Sequence, residues 1–523
     1  MLFDQPTEII VRDDRRKGSY NLQVLLAVIG GKTTAGQTGK RTFDFRVTGE
    51  MDKTPVEISL EASRPGQAFD GLGGNFRLQN PRTDPQVIDY SLENIRVAWG
   101  RVEMPWSIWH PDEAADPLAE ARAGRINVRV AQAMEMARRL AQKGMPVIVS
   151  AWSAPNWAIL GGGGRGPGGP AGAGTLAGAG RSAAAGAPGP APAAGRGAMA
   201  MQQQQAGPRG NPLNPEKMAK IKESIAGYLQ FLKEKYGVEA AMFSFNESDL
   251  GINVRQTARE HAELIKTLGA YFASRGLATR LALGDTSDAN PIDFIKPAMK
   301  DLDAVKYVGA VDFHSWRGCT DEILSQWRDA ARELNVPLIV AEGSTDAAAY
   351  RYPQIFHEQS FALYEINLYL RIMAVAQPKS ILQWQLTADY SPLAGGGIFN
   401  DNGPLRPTRR FWNLKQLAST PARSFWLPVT CSKQPNVTCA AVGNIAEGLY
   451  TVHMVNHGAT RTATITGIPE GIRQLRMWVT DADGGMQELE RATVSGGKAQ
   501  LALPAASYTT VIGSQEKAMA GAN

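Results

Sequence analysis

Between Phe69 and Trp412, short and nearly continuous apolar runs alternate with longer stretches whose apolar residues recur every three or four positions. The short runs lie at 70–76, 94–99, 147–151, 242–245, 280–283, 310–313, 338–341 and 381–385. Runs of this kind predict strands covered on both faces, as in parallel sheets. The intervening stretches predict amphipathic helices. Over 216–236 the apolar positions Met218, Ile221, Ile225, Leu229 and Leu232 share one helical face, and 256–275 and 321–334 read the same way. Eight strand–helix units over 67–411 predict the α/β class and a (β/α)8 TIM barrel.

The pattern changes beyond Trp412. Short alternating segments at 448–455, 462–465, 474–479 and 507–512, separated by Gly-, Pro- and Asn-rich turns, predict an antiparallel β-sandwich over 412–515. Two strand-like segments before the barrel, 42–47 and 56–62, are expected to join that sandwich, so 42–66 belongs with it. The interval 161–215 is mostly Gly, Ala, Pro and Gln, with no aromatic or acidic residue. It is expected to be a disordered insertion in the loop after the third strand, too poor in apolar surface to offset its chain entropy. Within 1–41, Arg15-Arg16-Lys17 precedes an apolar run from Leu22, the order of an export signal. The acidic Asp4, Glu8, Asp13 and Asp14 ahead of it argue the other way. The expected location is secreted or periplasmic.

Two apolar runs end abruptly in a glutamate: Phe243-Ser-Phe-Asn246-Glu247 and Leu338-Ile-Val-Ala-Glu342. The C-terminal ends of barrel strands form the mouth where such folds place their chemistry. Two carboxylates there can flank one glycosidic bond; either one alone reads equally well as an ion-pair partner. Composition narrows the field further. A net charge of +5 over 523 residues, without a basic cluster interleaved with aromatics, speaks against a nucleic-acid partner. No apolar run reaches the length of a membrane span. No metal-ligand spacing and no phosphate-binding glycine loop occurs, so no metal or cofactor is expected. Cys431 and Cys439 are open to reading as a disulfide or as two thiols, and the isolated Cys319 reads as a packing residue.

Four motifs give the chain a resemblance to glycoside hydrolase family 30, within a clan of (β/α)8 retaining glycosidases. Phe69-Asp-Gly-Leu-Gly-Gly resembles the family's opening strand, and Ser150-Ala-Trp-Ser-Ala-Pro-Asn-Trp157 its third-strand motif. Asn246-Glu247 is similar to the clan's Asn-Glu pair, and Glu342 follows Ile-Val-Ala as the clan's nucleophile does. The resemblance spans about Val56 to Ile512, apart from the insertion. It implies Glu247 as general acid/base, Glu342 as nucleophile and Asn246 as a partner of the sugar 2-hydroxyl. It also implies Arg96 on the second strand beneath the nucleophile, His314 as an orienting partner of Glu342, and Trp152, Trp316 and Trp384 as cleft residues. Trp157, Asp70 and Asp285 are weaker candidates for the same cleft. The implied function is a retaining β-glycosidase acting on a carbohydrate. The sequence also admits a non-catalytic carbohydrate-binding protein on the same fold, an adhesion protein working through the sandwich, and transglycosylation in place of hydrolysis.

Overall fold

The computed structural model describes residues 9–13, 22–29, 32–42, 49–161, 210–345, 349–351, 353–432, 434 and 436–515. Eight strands close into a barrel. In chain order they are β1 (Gly71–Asn75), β2 (Gly100–Met104), β3 (Val147–Ala151), β4 (Met242–Phe245), β5 (Arg280–Thr286), β6 (Val308–His314), β7 (Leu338–Gly343) and β8 (Ser380–Gln383). Each strand neighbours its successor and β8 returns to β1, with parallel pairing throughout. The fold class is therefore the TIM barrel that the apolar runs predict.

The chain divides into two compact units. One comprises 101–287 and 291–312, with β2 to β5 and most of β6. Its strands are mostly buried; every residue of β3 and β4 is. The helices Met218–Tyr236 and Ala258–Ser274 start and stop on local signals. The first ends at Gly237, whose φ of 69° is the left-handed conformation that glycine adopts without strain. The second opens with a capping box between Thr257 and Glu260. Gly284 lies within β5 at φ 125°, where a Cβ would come 2.1 Å from the carbonyl oxygen of Asp312. Only glycine lets β5 pass β6 that closely.

The other unit comprises 1–100, 288–290 and 313–523. It holds β1, β7, β8 and an eleven-stranded sheet. That sheet curls around a core that includes Val56, Ile58, Met454, Leu503 and Val511. The long strand Gln487–Ser495 pairs first with Gln474–Thr480 and then with Lys498–Leu503, so it carries the sheet from one half to the other. The upstream strand Val56–Leu60 lies between Val429–Cys431 and Arg461–Thr466. It runs parallel to the latter, so the expected antiparallel pattern has one exception. The exception arises because this strand arrives from far upstream, not through a hairpin.

Three boundaries differ from expectation. The second strand is Gly100–Met104, not 94–99, because the helix Asp84–Asn94 occupies the start of that run. The helix Arg409–Ala418 carries helical structure past Trp412, and the sandwich strands resume at Ser424. Within the segment expected as an export signal, Leu22–Leu26 is a strand antiparallel to Ile9–Asp13. Most of the expected strand at 42–47 and of the insertion at 161–215 lies outside the described residues. Among the described residues, no helix is long and apolar enough to cross a membrane. Cys431 and Cys439 are thiols, hydrogen-bonded to one another at the sandwich core.

Candidate active site

The unit that carries β2 to β5 builds its part of the site around one arginine. Arg101, on β2, is 1% exposed. Its Nη2 donates to Asp285 Oδ1 and Oδ2 at 2.9 and 2.8 Å, to Ser150 Oγ at 3.0 Å and to Asn246 Oδ1 at 2.8 Å. The hydroxyls of Ser150 and Ser244 donate in turn to Asp285 Oδ2, at 2.9 and 2.5 Å. The guanidinium also lies 4.6 Å from the ring centre of Trp152. One buried ion pair thus links β2 to the C-terminal ends of β3, β4 and β5 through Arg101 Nη2 and both Asp285 oxygens. Such added hydrogen bonds help a buried pair to offset its desolvation.

Asn246 and Glu247 follow β4 directly. The Asn246 Oδ1 is occupied by Arg101, which leaves Nδ2 as the atom that can donate outward. Glu247 has φ 49° and Asp285 has φ 46°, both left-handed and both unusual for residues with a Cβ. Their backbones meet, the Glu247 N–H donating to the Asp285 carbonyl at 2.9 Å. Left-handed backbone at adjacent strand ends turns the chain sharply and aims the side chains away from the strand axis, a geometry that clusters at functional sites. Glu247 is 8% exposed.

In the other unit, Glu342 lies near the end of β7 and is 3% exposed. Trp316 Nε1 donates to its Oε2 at 3.2 Å, and His314 Nδ1 lies 3.3 Å from the same oxygen. His314 is fully buried and Trp316 is 7% exposed. These two contacts on one carboxylate oxygen fix the plane of the group. Trp384, which follows β8, is 7% exposed, and its N–H donates to the Gly343 carbonyl at 2.8 Å.

No family model matches the sequence, and no curated protein does. Solved structures do. A glycoside hydrolase family 30 subfamily 8 xylanase from Clostridium acetobutylicum aligns over 88% of this chain and 99% of its own, with a TM-score of 0.65 at 15% identity. A family 30 endoxylanase from Clostridium papyrosolvens covers 88% of this chain and 100% of its own, with a TM-score of 0.63 at 14% identity. An endo-β1,6-glucanase covers 88% and 94%, with a TM-score of 0.55 at 14% identity.

The fold is that of glycoside hydrolase family 30.

Within this family 30 fold, several expected residues lie elsewhere. Arg96 is not on a strand. It precedes β2 and donates to the carbonyls of Asp70 and Thr420 at 3.1 and 2.8 Å, away from the C-terminal ends of the strands. The arginine on β2 is Arg101. Asp70 precedes β1 and accepts from Trp99 Nε1 at 2.8 Å. Asp285 is fully buried, and its carboxylate is taken by Arg101 and the two serines, so sugar hydroxyls are not its partners. Trp157 donates to the His110 carbonyl at 2.8 Å and packs edge-on against the His110 ring. The thiol of Cys319 is pushed up to about 12 by burial, consistent with a packing residue.

A further polar group stands in the loops after β1 and β8. Gln385 Nε2 donates to Gln79 Oε1 at 2.9 Å and to Asp389 Oδ2 at 3.2 Å. Burial raises Asp389 to about 6. Asp84 anchors these loops by accepting from the N–H groups of Gln79, Asn80 and Ala388. Sequence reasoning missed this group. The available signal was Asp389 beside Tyr390 and Ser391 shortly after β8.

Proposed function

We propose that this chain is a retaining β-glycosidase that hydrolyses O-glycosidic bonds of an oligo- or polysaccharide through Glu247 and Glu342. The carrying observation is that these two glutamates end the fourth and seventh strands of one closed parallel barrel, in different surroundings. Glu342 has its Oε2 held by Trp316 and His314, which fixes the orientation of the carboxylate as nucleophile. Glu247, raised from the end of β4 by its left-handed backbone, serves as general acid and then base.

In the first step Glu342 forms a bond to the anomeric carbon while the leaving oxygen takes the Glu247 proton. In the second, Glu247 removes a proton from water, and the water oxygen displaces Glu342. Asn246 Nδ2 donates to the 2-hydroxyl. Arg101 serves as a positioning residue for Asn246. Trp152, Trp316 and Trp384 supply apolar surface for sugar faces. Xylan and β-1,6-glucan are the first substrates to test, because the structural neighbours include xylanases and an endo-β1,6-glucanase. A polysaccharide substrate also favours a secreted or periplasmic location.

The test is hydrolysis of an aryl β-glycoside panel, xylan and β-1,6-glucan by the parent, with Glu342→Gln alongside and the anomeric configuration of the first product read by NMR. Activity with a β-configured product, lost in Glu342→Gln, supports the reading. Glycan binding without hydrolysis by the parent points instead to the non-catalytic protein. An inverted product, or full activity in Glu342→Gln, overturns the assignment.

A further inference from the structure

A cavity of about 600 Å³ lies in the unit that carries the sandwich, lined by Glu358, Gln359, Ser360, Leu363, Tyr364, His457 and Ala506. None of these residues is among those around Glu342. The cavity stands at the N-terminus of the helix Gln359–Val375, beside the turns flanking the strands Leu449–Asn456 and Ser507–Ser514. Its volume falls in the range of small-molecule sites. Tyr364 is 45% exposed, far more than the other tyrosines of this helix and the sandwich core, such as Tyr369 and Tyr508 at 0%.

The polar groups around that ring narrow the ligand. Glu358 is the N-cap residue, yet its side chain makes no capping bond to the first-turn N–H groups. Gln359 Nε2 donates to the Ala506 carbonyl at 3.1 Å, while its buried Oε1 has no partner. Burial lowers His457, so its imidazole is neutral at neutral pH and can both donate and accept. Glu358 is therefore the one charged side chain in the lining, and it disfavours an anion. An exposed aromatic face with Leu363 and Ala506 beside it, rimmed by a carboxylate, a carboxamide, a hydroxyl and a neutral imidazole, matches a neutral pyranose. Such a ring has an apolar C–H face and equatorial hydroxyls.

We propose that this cavity is a second carbohydrate-binding site, which takes a neutral glycosyl segment stacked on Tyr364 with its hydroxyls toward Glu358, Gln359 and His457. The inference rests on the reading of the chain as carbohydrate-active. Its role is to hold a polymeric substrate while the catalytic centre works on another part of it.

The experiment compares retention on insoluble unsubstituted xylan and insoluble β-1,6-glucan. Glu342→Gln is the background, with Tyr364→Ala or Glu358→Ala added; hydrolysis of a small aryl glycoside is measured with Glu342 intact. Retention is expected to fall roughly tenfold with Tyr364→Ala and several-fold with Glu358→Ala, the scale of one aromatic and one polar contact. Aryl-glycoside turnover and Tm are expected to stay at parent values. Equal retention with and without Tyr364 overturns the proposal, as does a parallel loss of aryl-glycoside turnover. The two readings fail separately. A parent that hydrolyses but whose retention ignores Tyr364 leaves the hydrolase and removes the cavity. A parent that hydrolyses nothing yet loses retention with Tyr364→Ala does the reverse.

Discussion

Arg101 is one residue on which the ends of three other strands depend. Its guanidinium neutralises Asp285 and orients Asn246 in a space without solvent. Arg101→Met is expected to destabilise the protein by about 3–5 kcal/mol, because it strands the Asp285 charge in the interior. The check is a denaturant titration beside the double variant with Asp285→Asn. Recovery of much of the loss in the double variant identifies the uncompensated charge as its cause. Arg96→Met, which removes an arginine from two carbonyl contacts only, is expected to cost less. At this scale the sequence was half legible. Glu247 and Glu342 stood out because each interrupts an apolar run at its end. Arg101 did not, because its partners Ser150, Asn246 and Asp285 come from three other strands and meet it only in the folded chain.

The strands and helices were legible in proportion to how dry they are. β3 and β4 were read to the residue because every position is apolar or small and buried. β2 was displaced by several residues because it carries Arg101 and Glu103 among its five. A strand with two charges does not read as interior until the partners are known. Elements also carry the acid sensitivity. In the sandwich His453 is fully buried between Thr420, Tyr508 and Thr510, and burial lowers it to about 3. In the other unit His261, on the helix Ala258–Ser274, accepts from the Gly284 N–H at Nε2 and is lowered to about 4. Both imidazoles are neutral in the folded protein and take up a proton more readily when unfolded. Their contribution is therefore present above about pH 6.5 and lost as pH falls toward 4 and 3, by up to about 1.4 kcal/mol per pH unit for each group. Stability measured from pH 7 to pH 4.5 should fall, and His453→Gln should flatten that slope even if it lowers the plateau. A slope unchanged by the substitution would show that carboxylates dominate the acid response. Gly284→Ala is expected to destabilise strongly, since its Cβ would have to displace the Asp312 carbonyl.

At the scale of the molecule, the sandwich is not a C-terminal appendage. Val56, Ile58 and Leu60 belong to its core, and their strand fills the gap between Val429–Cys431 and Arg461–Thr466. A fragment comprising 419–515 alone is expected not to fold. It would lack the strand between Val429–Cys431 and Arg461–Thr466 and expose two unpaired edges. Circular dichroism and limited proteolysis of that fragment, with and without a peptide spanning 49–66, provide the check. Cooperative unfolding of the bare fragment would contradict the expectation. The overall architecture was legible because a repeated strand–helix rhythm belongs to few folds. The parallel placement of Val56–Leu60 was not, because alternation tells which face a strand buries and says nothing of its neighbours.

The placement of Val56–Leu60 also bears on synthesis. This strand leaves the ribosome roughly 400 residues before the strand it runs parallel to. At a translation rate of about 5–20 residues per second, its apolar face waits about 20–80 s for a partner. Throughout that interval the nascent chain carries an unpaired strand with one apolar face. The yield of folded protein should therefore depend on how fast the codons for 429–466 are read.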